Sequence, residues 1–348
     1  MENYIEIVNS RVTTEEGIQL IEKYLLTVYF DSPTSNKELA RKLLIPIPLV
    51  TAIKKEFIKQ GVLTQYKGIS MTDKGRKFAD QTYGLESIDK QLYRSLIEED
   101  IDVEEVFSKE LNFLKVLLQQ RPNVDRSLDQ AHCTFETSFV RSLLTIDYSC
   151  LLNKKILCLG DDDLVSISLG LLLKRLYGDM AYNKTEINVF DIDERYLDYI
   201  SNLATKYNLP IKCHLIDLRE PLVLNQAEEY DCLFTDPPYT ISGLDLFLSR
   251  GISALKTVKG LPIFLSFAHK SYDESYKMLE KFYEMGLCIN QIAPSFNEYE
   301  GGAIIGNIGQ LIVLQTTSKT CPHIENSSMY LDNLYTREVK LNLRGKGI

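Results

Sequence analysis

From Lys154 onward, short apolar runs alternate with longer amphipathic ones, and this alternation narrows the possible folds more than any other feature of the chain. Runs of strand length occur at Lys155–Leu159, Ile187–Phe190, Ile211–Ile216, Asp231–Phe234 and Pro262–Phe267. Helical patterns at Leu164–Tyr177, Arg195–Tyr207, Ser242–Leu255 and Tyr272–Met285 separate most of them. Such alternation implies an α/β fold, a mostly parallel sheet with helices on both faces. Two later runs, Cys288–Ala293 and Gln310–Gln315, are expected to close the sheet as an antiparallel pair. In open sheets of this kind, ligands sit off the carboxyl ends of the strands at the switch point of the strand order.

The N-terminal part has another rhythm. A helix around Glu15–Tyr29 is followed by Ser35 with Glu38 three residues on, a capping box, and Pro48 then opens a helix carrying Lys54, Lys55 and Lys59. Gly61 ends that helix, Thr64–Met71 reads as a two-stranded wing, and a further helix starts at Thr72. The expectation is a winged-helix-like α+β domain over residues 1–83. Residues 1–80 carry 12 Lys/Arg against 10 Asp/Glu. That near-neutral balance favours a dimerisation or substrate-capping role over DNA reading. Residues 84–150 are expected to be a helical connector that lends residues to the substrate pocket. Its acidic runs, Glu98-Glu99-Asp100 and Asp102 to Glu105, read as a solvated face. Residues 151–348 form the Rossmann-like domain with a polar C-terminal tail.

Whole-chain properties remove several function classes. The net charge is −9, which opposes non-specific binding to nucleic acid or anionic membranes. The opening MENYIEIVNS has no signal-peptide pattern, and no apolar run approaches the roughly 20 residues of a membrane span. The seven cysteines form no CxxC pair and the four histidines lie far apart, so reduced thiols in a cytoplasm and no metal site are expected.

Chemistry concentrates at the strand ends. The first strand runs into Gly160-Asp161-Asp162-Asp163-Leu164, the second into Asp191, the third into Asp217-Leu218, the fourth into Asp236-Pro237-Pro238-Tyr239-Thr240, and the fifth into Ser266–His269. This is the spacing of a class I S-adenosylmethionine-type nucleoside fold, in which the acid after the second strand accepts from ribose hydroxyls and the acid after the third meets the adenine amino group. Taken singly, such an aspartate is equally a helix N-cap, Asp163 and Asp193 above all. The first loop lacks the usual glycine-rich sequence and holds carboxylates instead. A ligand carboxylate about 4 Å from one of them would be repelled by about 4 kcal/mol at an effective dielectric near 20. A donor ending in an ammonium would be attracted, which favours decarboxylated S-adenosylmethionine and aminopropyl transfer over methyl transfer. The Asp-Pro-Pro-Tyr loop suits an amine acceptor, because Asp236 and the Pro237 carbonyl can aim a nitrogen lone pair while Tyr239 stacks on a base or holds a cation.

The acidic loop together with Asp236–Thr240, preceded by Asp129-Gln130 and Thr134-Phe135-Glu136-Thr137, resembles the branched-chain polyamine synthases, the N(4)-bis(aminopropyl)spermidine synthase family. Asn297-Glu298-Tyr299-Glu300-Gly301-Gly302 and Leu334-Tyr335-Thr336-Arg337-Glu338 are similar to that family too. The resemblance implies two successive aminopropyl transfers from decarboxylated S-adenosylmethionine to the internal amine of spermidine, with release of 5′-methylthioadenosine. It also implies a homodimer and no tightly bound cofactor. The site expected on this basis has Asp162 and Asp236 as catalytic groups. Gly160, Asp161, Asp163, Asp191, Asp217 and Leu218 would serve the donor; Asp129, Gln130, Glu136, Asp236, Pro237, Tyr239 and Glu300 would serve the acceptor. Two competing readings are an amino-methyltransferase acting on a nucleic-acid base and a non-enzymatic regulator that senses a nucleoside; the acidic charge opposes the first and the near-neutral N-terminal part the second.

Overall fold

The computed structural model describes residues 3–12, 14–98, 101–222, 229–301, 305–323 and 334–336. Glu99, Asp100, Gly302, Arg337 and Glu338, named above, lie outside the described residues, as does most of the tail. The chain separates into two compact units, residues 1–101 with 175–184, and residues 102–174 with 185–348.

The first unit contains α1 (Tyr4–Arg11), α2 (Ile18–Asp31), α3 (Asn36–Leu43), α4 (Ile47–Lys59), β1 (Leu63–Gln65), β2 (Ile69–Met71), α5 (Asp73–Tyr83) and α6 (Lys90–Ile97). The capping box forms as read, with the Ser35 hydroxyl accepting from Glu38 N and the Glu38 carboxylate from Ser35 N. Strands β1 and β2 pair antiparallel as the wing. Of the three lysines carried by α4, Lys54 is buried and donates to Asn36 Oδ1 at 3.1 Å. Residues 84–101 fall in this unit and not with 102–150, because Leu92, Tyr93 and Leu96 of α6 are buried and Tyr93 stacks on Phe30.

The second unit comprises α7 (Val103–Val106), α8 (Ser108–Gln119), α9 (Phe135–Asp147), β3 (Lys155–Leu159), most of α10 (Val165–Leu176), β4 (Glu186–Asp191), α11 (Glu194–Tyr207), β5 (Ile211–Leu215), β6 (Cys232–Thr235), α12 (Ile241–Ala254), β7 (Pro262–Phe267), α13 (Tyr272–Glu284), β8 (Leu287–Glu298) and β9 (Ile308–Thr316). The seven strands lie in the order β5-β4-β3-β6-β7-β9-β8, parallel through β7, with β9 antiparallel to both β7 and β8. The expected closing pair is therefore present. Strands β3, β6 and β7 are almost wholly buried, as their unbroken apolar runs require. From β3 the chain first builds outward through β4 and β5, then returns to add β6 on the other side, so the switch point lies between the carboxyl ends of β3 and β6. Helix α9 starts at Phe135 because Thr134 caps it by accepting from Thr137 N.

Candidate active site

The loop leaving β3 begins at Gly160, whose φ of +68° is the left-handed conformation that glycine adopts without strain. It ends at Leu164, buried with φ +55°. Between these turns the three aspartates have different fates. Asp161 and Asp163 point into the protein and Asp162 points out. Asp161 caps α10, accepting from Val165 N at 2.7 Å and Ser166 N at 3.1 Å, and burial raises its carboxyl to about 7. Asp163 accepts from Cys133 N at 2.6 Å and pairs with Arg141 Nη1 at 2.6 Å. Burial pushes Asp163 up, but the Arg141 and Arg121 charges and the bonds from Cys133 N and Arg141 together outweigh it and hold Asp163 below the usual carboxylate range. The helix cap is therefore Asp161, not Asp163, and neither presents its carboxylate to the cleft in the donor-binding manner expected. Both instead border a smaller hollow with Arg141 and Ser266, which shares Gly160 and Asp236 with the cleft. Asp162 lines the open cleft and accepts from Ala131 N at 3.2 Å. Its carboxyl is pushed well up by burial, and the charges of Asp163, Asp236 and Asp191 add to this.

The cleft, about 510 Å³, is lined by Asp129, Gln130, Gly160, Asp162, Asp191, Asp236, Pro238, Tyr239 and Phe247. It adjoins an apolar hollow of about 340 Å³ bounded by Phe190, Ile192, Ile216, Leu218, Leu246 and Phe247, with Asp217 and Arg219 at its edge. Gly160, Asp191, Ile192, Phe247 and Tyr335 border both. Asp191 is held by Asp161 N and Asp193 N, and burial raises its carboxyl. Asp217 is gripped by Arg219 through contacts of 2.5 to 3.0 Å, which lowers its carboxyl. The apolar hollow suits a flat base and Asp191, at the shared border, suits a ribose.

Asp236 sits at the end of β6 between Arg141 Nη2 at 3.4 Å and the Tyr299 hydroxyl, which donates to its Oδ2 at 2.7 Å. Burial, with the Asp163 charge adding and Arg141 opposing, raises this carboxyl to about 7. Pro238, rather than Pro237, faces the cleft. Asp129 stands at φ +57° and accepts from Thr336 N at 2.7 Å, while the Thr240 hydroxyl donates to Leu334 O at 2.7 Å. These two bonds place Tyr335 along the cleft wall. Gln130 is fixed by Asp125 N and by donation to Asp193.

Two acceptor-side expectations are corrected. Glu136 lies in the first turn of α9 and is exposed, away from the cleft lining. Glu300 has a side chain 57% exposed and pairs with Arg121 at 3.2 Å, where the backbone bond from Glu300 N to His132 O turns it away. Arg141 and Tyr299 went unassigned on the sequence. The signal for Arg141 was a lone cation among the apolar residues of α9; Tyr299 had none beyond its motif.

Gly243, in the first turn of α12, packs against the Asp-Pro-Pro-Tyr loop. A Cβ there would stand 2.6 Å from Pro238 O and 2.8 Å from Pro238 Cβ. Gly243→Ala is expected to displace that loop and lower turnover by on the order of ten- to a hundredfold, leaving nucleoside binding unchanged. Steady-state kinetics beside calorimetric titration with 5′-methylthioadenosine checks this.

The sheet order, with acids after β3, β4, β5 and β6, is that of a class I S-adenosylmethionine-type transferase fold. Residues 110–341 match the family model described as the branched-chain polyamine synthase A C-terminal domain, and the chain belongs to that family. An uncharacterised protein of Methanocaldococcus jannaschii is 36% identical over 293 residues, 84% of this chain and 72% of that one. The N(4)-bis(aminopropyl)spermidine synthase of the same organism is 30% identical over 257 residues, 73% of this chain and 70% of that one. Among solved structures, the branched-chain polyamine synthase of Thermus thermophilus, in complex with N4-aminopropylspermidine and 5′-methylthioadenosine, has the same fold. Its TM-score is 0.58 at 21% identity, covering 96% of each chain.

Proposed function

We propose that the chain is a polyamine aminopropyltransferase that moves aminopropyl groups from decarboxylated S-adenosylmethionine to the internal amine of spermidine, twice. The observation that carries this is the pairing of two raised carboxyls, Asp162 and Asp236, on one cleft that opens onto an apolar hollow with Asp191 at the shared border. A methionine carboxylate would meet Asp162 there, whereas an aminopropyl ammonium is attracted. Asp191 holds the ribose and the hollow beside Asp217 and Leu218 the adenine. Asp129, Gln130 and Tyr239 border the acceptor's path.

In each transfer the acceptor nitrogen attacks the carbon bound to the sulfonium. The N–C bond forms, the C–S bond breaks, and its electron pair stays on sulfur in 5′-methylthioadenosine. A secondary ammonium must first lose a proton; the product is a tertiary ammonium, which must lose its own before the second attack gives a quaternary centre. Two protons therefore leave the cleft for each spermidine. Asp162 takes them, and its raised pKa makes it the stronger base once ionised. Asp236 orients the nitrogen. We read the protein as cytoplasmic and binding no nucleic acid, which its seven free cysteines and acidic charge support, and as a homodimer on the family resemblance alone. Among the described residues no helix is long and apolar enough to cross a membrane, and no acidic, His or Cys cluster suits a metal.

Mass spectrometry of spermidine incubated with the protein and either sulfonium tests the reaction. Growth by two aminopropyl units with the decarboxylated donor alone supports it; methylation of DNA or RNA with S-adenosylmethionine overturns it. A second expectation concerns pH. The free protein keeps protons on Asp162 and Asp236 that an unfolded chain would lose near 3.8, so the contribution of these two groups to stability falls as pH rises from about 4 through 7. A bound polycation favours the carboxylates, so spermidine binding should release protons and tighten between pH 5.5 and 7.5, read by calorimetry in two buffers of different ionisation enthalpy.

A further inference from the structure

Asp236 Oδ2 is enclosed by groups from distant parts of the chain. Arg141 of α9 is itself fixed three ways: Nη1 pairs with Asp163 at 2.6 Å, Nε donates to Asn297 Oδ1 at 2.9 Å, and Nη2 reaches the Tyr299 hydroxyl at 3.2 Å. Asn297 is in turn held by donation to Gln310 O at 2.9 Å. The Tyr239 hydroxyl donates to the Tyr299 hydroxyl at 3.0 Å. Tyr299 thus receives two donors and has one hydrogen to give, and the acceptor in reach is Asp236 Oδ2 at 2.7 Å. Tyr299 is 3% exposed, so this arrangement does not compete with bulk water. The bonds from Arg141 and Tyr299 both fall on Oδ2 and neither uses Oδ1, and the side chain lines the cleft.

We propose that Tyr299 is a positioning residue for the amine alkylation: its hydroxyl clamps Asp236 Oδ2, so that Oδ1 alone meets the acceptor nitrogen. The proposal deepens the aminopropyl-transfer reading and rests on it. The groups that act on Asp236 are Arg141 from α9, Asp163 from the loop after β3, Tyr239 from its own loop and Tyr299 from the end of β8, with Asp162 across the cleft. Asp163 favours the protonated form, whereas Arg141 and both tyrosines favour the carboxylate. Without the Tyr299 hydroxyl, Asp236 keeps its proton to higher pH and Oδ1 is no longer fixed in direction.

Tyr299→Phe preserves the ring and removes only the clamp. With spermidine as acceptor, kcat at pH 7 should fall about tenfold, the acid limb of kcat/KM should move to higher pH, and the deficit should shrink at pH 9, with KM for the donor unchanged. A loss of equal size at every pH overturns the proposal. So does failure of the variant to fold, since that would make the hydroxyl structural. Carbon-13 NMR of carboxyl-labelled aspartate, with the Asp236 signal assigned by Asp236→Asn, reads the clamp without turnover. An Asp236 titration displaced upward in Tyr299→Phe supports the clamp, and an unmoved one overturns it even where activity has dropped. If the wild-type protein transfers no aminopropyl group, the functional reading fails, and the NMR titration still decides whether Tyr299 holds Asp236.

Discussion

Asp162→Asn should lower aminopropyl transfer by on the order of 10²- to 10⁴-fold, the range lost when a positioned general base is removed. Of the three aspartates after β3, this one alone faces the cleft, because Asp161 is committed to the α10 N-terminus and Asp163 to Arg141. Asparagine keeps the shape and can still accept from Ala131 N, so the fold should persist. It cannot take a proton. The deficit should be measured with the donor saturating, for both the first and the second addition, by product mass. It should also persist across pH 6 to 9, since the variant has lost the group rather than shifted it. Retention of more than a tenth of wild-type activity would assign the base elsewhere, to Asp236 first. Asp161→Asn separates chemistry from architecture: it should reduce stability through the lost cap charge and leave the pH profile in place.

Arg141→Leu should destabilise the second unit by about 3–5 kcal/mol, the usual consequence of breaking a buried ion pair from one side. The Arg141 and Asp163 side chains are 3% and 4% exposed, so water cannot replace the missing partner. Arg141 also donates to Asn297 and Tyr299, and removing it leaves those groups short of a partner. The pH dependence has a definite sign. The pair holds Asp163 below its free value of 3.8, so its contribution is complete above about pH 4 and is lost as pH falls through the depressed value. The gap between wild type and variant should therefore be widest near neutrality and narrow toward pH 3. Urea denaturation at several pH values measures it. Adding Asp163→Asn to Arg141→Leu should recover part of the loss, because the stranded buried charge goes with it.

The sheet was legible because burial on both faces writes itself as apolar runs, and Lys155–Leu159 and Pro262–Phe267 have the ends read from sequence. The alternation placed Asp162, Asp191, Asp217 and Asp236 at carboxyl ends of strands, whereas the switch point between β3 and β6 needed the strand order. What could not be read was direction. In Asp161-Asp162-Asp163, neighbouring side chains point opposite ways, and the left-handed turns at Gly160 and Leu164 decide which one faces out. The cap therefore fell two residues from the expected Asp163. Glu136 followed a motif into the first turn of a helix, where its side chain meets solvent. Arg141 and Tyr299 were out of reach for another reason: they meet each other, Asp163 and Asp236 only across long separations in the chain, and local sequence does not encode such contacts.

Arg141 bonds residues 22, 95, 156 and 158 positions further along the chain. Its charge therefore has no complete set of partners until β8 has left the ribosome, roughly 10 to 30 s after α9 at typical synthesis rates. Over that interval the carboxylates of Asp163 and Asp236 are made and can meet the charge, but the neutral acceptors for the remaining guanidinium N–H groups are still missing. Arrival of the last hairpin supplies Asn297 and Tyr299 together. A chain released early should thus be recognisably unfinished to proteases and chaperones, not a half-active enzyme.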